Sequence, residues 1–402
     1  MIDLKAARAD PAGFRAAVAR KGAAEPFDRL LEADARWREL VPQVDELRSR
    51  QKIQGKPSPE QVEELKQVKE DLRRLEDELA AAEQQRDEAL AAVPNPPHES
   101  VPDEETDDSE GEIVRVVGEA ATSAEAKEHL ELGRFEMERA AKVSGSRFGY
   151  LVGDTALLSL SLYRWALTRA VAAGFTAVLP PVLVREEAMY GTGFFPAERN
   201  EYYEIAEDGL YLTGTSEVAL AGLHMGEILD AEQLPLRYTA FSTNFRREAG
   251  AAGRDTRGMF RVHQFNKVEM FAYTLPEASW DEFERLLELE ERNAKELGLP
   301  YRVVNISARD LSSAAAKRYD IEAWFPSQER YRELTSASNT TDFQARRLGI
   351  RLRREGSIEH VHTLNGTAVT DRWALAILEN FGGEVPDVLR EYGAPERVRP
   401  DA

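Results

Sequence analysis

The chain of 402 residues contains no cysteine. That excludes disulfides and thiolate-held metal sites, and it fits a cytoplasmic protein without thiol redox chemistry. The chain also lacks any apolar run of about 18 residues, the length a membrane-crossing helix needs. Its opening, M-I-D-L-K-A-A-R-A-D, has no apolar core of a secretory signal, so neither membrane insertion nor export is expected. Positive charge is in deficit. Lys and Arg number 52 against 72 Asp and Glu, a net charge of −20. A general nucleic-acid binder carries a basic footprint, so any nucleic-acid contact must rest on local patches of an acidic body. Histidine is sparse as well. His360 and His362 alternate along one segment, but no third ligand follows at short spacing, so both read as structural.

What is present is enough chain for two or three domains and a large core. Asp10-Pro11 marks a helix start and Lys21-Gly22 its stop. From about residue 28 to 92 the composition turns to Glu, Lys, Arg, Gln, Leu and Ala. Leu65, Leu72 and Leu79 recur every seven residues, with Val68, Leu75 and Ala82 between them, which is a coiled-coil seam. Leu40, Val44 and Leu47 form a shorter seam upstream, where Pro42 predicts a kink or a fresh helix start. Between the seams Q-G-K-P-S-P must turn, so the two helices form an antiparallel hairpin. Such a hairpin is either a dimerisation element or an arm for a long ligand. Arg48, Arg50, Lys52 and Lys56 cluster near its tip, where phosphates could be met. The acidic run D-E-E-T-D-D-S-E-G-E then reads as a weakly ordered linker.

Beyond it, helices alternate with strands. F-T-A-V-L-P-P-V-L-V is a strand broken by a Pro pair, which suggests a sheet edge or an interface. L-Y-L-T-G-T-S-E-V-A-L puts Glu217 in a strand-like context, and the segment from Ser279 to Leu297 is an amphipathic helix stopped by Gly298. Several hairpin strands flanked by helices predict an α+β domain around a largely antiparallel sheet. The densest chemistry lies in F-R-R-E-A-G-A-A-G-R-D-T-R-G-M-F-R-V-H-Q-F-N-K-V-E, Phe245 to Glu269. A Gly-rich turn joins two strand-like stretches loaded with Arg246, Arg247, Arg254, Arg257 and Arg261 beside Glu248 and Glu269. Arginine's planar fork suits bidentate contact with phosphate or carboxylate, so the hairpin reads as an anion site on a rigid support; a solvated ion-pair hairpin is the blander reading.

This stretch resembles motif 2 of the class II aminoacyl-tRNA synthetases, in the bacterial form of the seryl-tRNA synthetase family. G-F-T-A-V-L-P-P-V-L-V is similar to motif 1, with Pro181 as its proline, and T-D-R-W-A-L-A-I-L-E-N is similar to motif 3, with Arg372 as its arginine. The resemblance extends over the helical arm, T-S-E and H-T-L-N-G-T. It implies a class II antiparallel sheet flanked by helices, with an N-terminal antiparallel coiled-coil arm. The implied domains are a tRNA-binding domain over 1–105 (hairpin about 28–92), an acidic linker over 106–120 and a catalytic domain over 121–402.

The resemblance further implies a cytoplasmic homodimer that uses ATP and magnesium to make seryl-adenylate from L-serine. It would then load serine onto tRNA(Ser), with tRNA(Sec) a further candidate. Arg246 would hold the α-phosphate and the amino-acid carboxylate. Glu248 and the Val262 backbone would meet adenine, with Phe265 and Arg372 on its two faces. Arg247, Arg261, Leu334 and Thr335 complete the ATP set, and Glu333 and Ser336 would ligate magnesium. Thr215, Ser216, Glu217, Arg246, Glu269, Asn365 and Thr367 would bind serine. Arg254 and Arg257 would reach the tRNA acceptor end. Departures from the family pattern are the short arm turn, T-S-E-V-A for T-A-E-V-P, S-A-S-N-T-T without cysteines (Ala337 and Thr340 packing in their place), and the abbreviated F-G-G-E-V-P-D-V-L. A second-copy paralogue in antibiotic synthesis or resistance, and a non-catalytic tRNA-binding or regulatory homologue, are the alternative readings.

Overall fold

The structure is a computed structural model that describes residues 1–52, 58–103, 110–121, 126–249, 258–354 and 356–401. The chain divides into two compact units, Met1–Pro96 and Pro97–Ala402.

In the first unit Asp10 caps the helix Pro11–Ala19 by accepting from the Gly13 N–H at 2.9 Å. Two long helices follow, Ala24–Arg50 and Pro59–Ala92. The 34 residues of the second extend about 51 Å at 1.5 Å each. Their mutual face is the one the spacing marks out. Leu40, Val44, Val68, Leu72 and Ala82 are buried, and Leu47, Leu65, Leu75 and Leu79 half-buried. Phe27, Leu30, Val18 and Leu90 close a small core at the foot. Pro42 does not start a new helix; it lies inside Ala24–Arg50. A mid-helix proline removes one backbone bond and costs about 3 kcal/mol. Its neighbours Leu40 and Val44 lie buried on the seam, and their packing offsets that cost. Arg48 donates to Glu76 at 2.9 Å and Arg50 to Glu64 at 3.1 Å, so both arginines tie one arm helix to the other. These are exposed pairs, each worth roughly 0.2–1 kcal/mol. Lys52 is exposed, and Lys56 lies outside the described residues.

The second unit is built on an eight-stranded sheet. Its order is 111–117, 301–306, 317–325, 330–339, 362–370, 264–274, 236–245 and 176–178. Every pairing is antiparallel except the last, where Thr176–Val178 runs parallel to Leu236–Phe245. That short strand, which leads into Pro180-Pro181, ends the sheet, as its prolines require. At the opposite edge lies a strand the composition concealed. Gly111–Val117 falls within the stretch expected to be linker, yet it pairs with Tyr301–Ile306, and Arg115 meets Glu291 at 2.6 Å. The acidic run just before it masked the alternation of G-E-I-V-R-V-V. The helices Asp154–Ala172, Ser279–Glu296 and Asp371–Phe381 supply Trp165, Phe283 and Trp373 to the core against the sheet. Among the described residues no helix is long and apolar enough to cross a membrane.

Candidate active site

The arginine-rich hairpin is the pair of strands Leu236–Phe245 and Gln264–Thr274, seventh and sixth in the sheet order, in register from Leu236 opposite Tyr273 to Phe245 opposite Gln264. The return strand begins four residues later than the alternation from Phe260 suggests. Met259 to Val262 instead form part of a cavity wall. On the return strand, side chains two apart share a face. Phe265, Lys267 and Glu269 therefore line up on the side where two cavities open.

The first cavity, about 690 Å³ counting its open mouth, is lined by Arg246, Glu248, Arg261, Val262, Phe265, Leu334, Thr335, Asp371 and Arg372, among others. The second, about 860 Å³, is lined by Thr215, Glu217, Glu269, Asn365, Glu198 and Thr192, among others. Arg246, Lys267, Glu333, Ser336 and Thr367 belong to both walls, so the cavities adjoin there.

Arg246 is fixed by its backbone surroundings. Phe245 N–H donates to the Thr213 carbonyl at 2.9 Å, and Arg246 N–H donates to the His263 carbonyl at 3.0 Å. Its guanidinium lies 5.2 Å from the centroid of the Phe265 ring. A Cβ at Gly214 would stand 2.8 Å from the Tyr202 ring and 3.3 Å from Arg246 Cγ, so only glycine lets the side chain pass. Glu248 has a left-handed backbone, φ 51°, which costs a non-glycine residue about 1 kcal/mol or more. The flanking N–H groups of Arg247 and Ala249 hold it by donating to the Glu201 carbonyl at 2.7 Å and to Glu201 Oε2 at 3.1 Å. Its carboxylate pairs with Arg261. Arg247, expected in the ATP set, lines neither cavity. Arg254 and Arg257 lie outside the described residues.

Glu333 sits between Arg318 at 3.1 Å and Arg372 at 3.2 Å. Arg372 also donates to the Glu333 carbonyl at 2.9 Å and to the Phe260 carbonyl at 3.4 Å. Burial acts to raise the Glu333 carboxyl, but Arg318, Arg372 and Arg246 overcome it and hold it at about 2. Glu333 is thus ionised at any working pH.

The second cavity carries the opposite balance. Glu217 begins a short helix, Glu217–Ala221, rather than continuing a strand. The Thr213 hydroxyl donates to the Thr215 carbonyl at 2.5 Å and turns the chain first, and this local side-chain bond is invisible in an apolar alternation. Glu217 Oε1 accepts from Gln344 Nε2 at 2.8 Å and Asn365 Nδ2 at 3.0 Å. Glu269 Oε2 accepts from Lys267 Nζ at 2.6 Å and from the Thr367 hydroxyl at 3.3 Å. Burial, then the neighbouring Glu269, pushes the Glu217 carboxyl up to about 7, against the pull of Lys267 and Gln344. Burial raises Glu269 too, with Lys267 opposing. Ser216 differs from expectation. Its hydroxyl is buried without a hydrogen-bond partner and lines neither cavity. Ala337 and Thr340 are both buried, and Thr340 reaches the second cavity wall. His360 and His362 bond the Ile350 carbonyl and the Ser279 hydroxyl, at 3.0 and 2.9 Å. Sequence reasoning missed Lys267, whose signal was its two-residue spacing from Glu269. It also missed Gln344, 127 residues from Glu217, for which no local signal exists.

With this geometry in place, the chain can be set beside known proteins. Residues 202–381 match the model of the tRNA synthetase class II core domain (G, H, P, S and T), and residues 1–97 match that of the seryl-tRNA synthetase N-terminal domain. The serine–tRNA ligase of Thermobifida fusca (strain YX) is 46% identical over 425 residues, covering 100% of both chains. The structure of seryl-tRNA synthetase from Pyrococcus horikoshii complexed with ATP superposes with a TM-score of 0.92 at 38% identity over 100% of both chains. The cytoplasmic serine–tRNA ligase from Naegleria fowleri in complex with AMP superposes with a TM-score of 0.86 at 32% identity, over 97% of this chain and 96% of that one.

The raised Glu217 carboxyl has a stability signature. Its folded value of about 7 exceeds its ordinary 4.5. The folded state therefore binds more protons between those limits, and stability falls as pH rises through them. The full cost, on the order of 3 kcal/mol, is present above the folded value. Glu217→Gln is expected to stabilise the protein at pH 8 by up to that amount and to do little at pH 5, measured by denaturant midpoints. An equal effect at both pH values contradicts the assignment.

Proposed function

The chain belongs to the seryl-tRNA synthetases, a class II aminoacyl-tRNA synthetase family, and from that premise we propose that it joins L-serine to ATP as seryl-adenylate and passes the serine to the 3′ end of tRNA(Ser), with tRNA(Sec) as a further acceptor. The observation that carries this reading is Arg246, a guanidinium that, with Lys267, lines both the cavity of Arg261, Arg372 and Phe265 and the adjoining cavity of Glu198, Glu217 and Glu269. In adenylation a serine carboxylate oxygen bonds to the α-phosphorus as the bond to the β-phosphate oxygen breaks and pyrophosphate departs. Both reactants are anionic, so the protein's task is to bring them together and neutralise them.

Arg246 holds the serine carboxylate and the α-phosphate at the junction. Phe265 and Arg372 bracket adenine, with Glu248 and the Val262 backbone on its edge, and Arg261 adds charge along the phosphates. The Glu217 carboxylate receives the serine ammonium. Glu269 and Thr367 receive its hydroxyl. Serine transfer then breaks the new acyl–phosphate bond as a terminal tRNA hydroxyl attacks, releasing AMP. The magnesium site fits what is present. Glu333 is an ionised oxygen donor with the Ser336 hydroxyl near it on the shared wall. Among the described residues no cluster of three or more His, Asp or Glu could hold a metal unaided, so the triphosphate must supply the remaining oxygens. Magnesium, when bound there, screens phosphate charge.

We place the enzyme in the cytoplasm, the compartment of its substrates and one that suits a cysteine-free chain. A homodimer is supported by an apolar surface on the motif 1 side, where Leu160 is 61% and Leu179 86% exposed. The arm is the tRNA-gripping element, through Arg48, Arg50, Lys52 and Lys56, while Arg254 and Arg257 reach the acceptor end.

Purified protein is expected to catalyse ATP–pyrophosphate exchange that depends on serine, needs no tRNA, stops in chelator and returns with magnesium. Serine-independent or absent exchange by folded protein rejects the reading. Deleting the arm from about residue 41 to 91 across a short linker is expected to spare exchange and abolish aminoacylation. Normal charging by that variant makes the hairpin a folding or dimer element only. Thr367→Val is expected to raise the serine KM and narrow the serine/alanine preference, because a site built to bond a hydroxyl rejects the analogue lacking it by about 10⁴–10⁵. Its ATP KM should hold, and unchanged serine/alanine discrimination removes Thr367 from the pocket.

A further inference from the structure

Glu217 Oε1 is saturated by two amide donors, Gln344 Nε2 at 2.8 Å and Asn365 Nδ2 at 3.0 Å. Asn365 lines the cavity with Glu217, whereas Gln344 does not reach it. Gln344 is wholly buried, and its amide has one possible orientation. The Thr363 hydroxyl donates to its Oε1 at 2.9 Å, which leaves the two N–H groups for Glu217 and for the Thr192 carbonyl at 3.2 Å. Thr363 is set in turn by Thr340, whose hydroxyl donates to the Thr363 carbonyl at 2.8 Å. A single side chain therefore links the carboxylate floor of the second cavity to Thr192 on its wall.

We propose that Gln344 is a positioning residue for the amino acid: its amide favours the carboxylate form of Glu217 and turns it so that its second oxygen faces an incoming α-ammonium group. This rests on the serine-binding reading of Glu217. The physical need is clear from the neighbours. Glu217 is buried and feels two further carboxylates, Glu269 and Glu198, the cation Lys267, and the Tyr202 phenol. Ionisation of a buried carboxyl in such company depends on the donors that face it. Gln344 supplies one without adding a charge, and a lysine in its place would compete with the ligand's own ammonium.

The test is serine-dependent exchange as a function of pH with Gln344→Met, which keeps length and volume but removes the donor. The serine KM is expected to rise about tenfold or more, the loss of one hydrogen bond to a charged group. The acidic limb of kcat/KM for serine should move up by roughly one pH unit, while kcat at saturating serine and the ATP KM stay within about twofold. Gln344→Glu, which sets a fourth carboxyl among the three, is expected to be worse than Gln344→Met. If Gln344→Met does not fold, Thr363→Val serves in its place: it leaves Gln344 intact but removes the 2.9 Å donor to its carbonyl, leaving only the longer contact from the Thr340 hydroxyl at 3.4 Å, and should move the same two quantities in the same direction by less. Wild-type exchange that ignores serine overturns the pocket reading and this proposal with it. Serine-dependent wild-type exchange with an unmoved KM and acidic limb in the folded variant overturns the role of Gln344 alone.

Discussion

The antiparallel pairing of Leu236–Phe245 with Gln264–Thr274 is the constraint on which the site depends. A strand has only two faces, and the return strand uses both. Val268, Met270 and Ala272 enter the main core, while Phe265, Lys267 and Glu269 face the cavities. A slip of one residue would exchange the two sets, burying a lysine and a glutamate in the core and emptying both cavity walls of their charges. Core packing therefore enforces the register that the chemistry needs. The same strands set the position of Arg246, which leaves the sheet where Phe245 and His263 are still tied by backbone bonds.

From that register follows an unequal partition of charge. The whole chain is acidic, yet Arg246 and Lys267 stand on the wall the two cavities share. Arg261 and Arg372 are matched by Glu248 and Asp371 in the first cavity alone, whereas in the second alone Glu198, Glu217 and Glu269 outnumber Arg318. Each side is suited to one part of a zwitterion joined to a polyanion. The ammonium needs carboxylates, the carboxylate and phosphates need guanidinium groups, and the reacting atoms belong where the two fields meet. Lys267 keeps the carboxylate cluster from being wholly uncompensated through its bond to Glu269, while burial and the neighbouring Glu269 push Glu217 up to about 7. Near pH 7 such a group ionises when a cation arrives, so ligand binding and proton release are coupled.

How much of this was legible in the chain depended on the range of the interaction. The seam of Leu65, Val68, Leu72, Leu75, Leu79 and Ala82 was readable because helix periodicity is local, and every one of those residues is buried or half-buried. The hairpin was readable for the same reason, from alternation around a Gly-rich turn. The failures share a cause. The strand Gly111–Val117 was hidden by its acidic approach, and only its partner Tyr301–Ile306 reveals it. Glu217 opens a helix because Thr213 and Thr215 turn the chain, which an apolar pattern cannot express. Gln344 and Lys267 act through residues brought to them by the fold, and only Lys267 had a neighbour near enough to betray it.

The arm raises the converse question, how an acidic protein holds a polyanion. Arg48 and Arg50 are each already matched with a glutamate on the facing helix. Because those pairs are exposed, breaking one costs little, and a phosphate can take its place. The displaced Glu76 and Glu64 remain close by, however, and repel the same phosphate. In the tRNA-gripping role proposed for the arm, net attraction per contact would therefore be smaller than the count of basic residues suggests, and shape fit along some 51 Å of helix would have to supply the rest. An arm in that role would discriminate by length and outline more than by charge, its surface glutamates penalising any nucleic acid that touches it without following that outline.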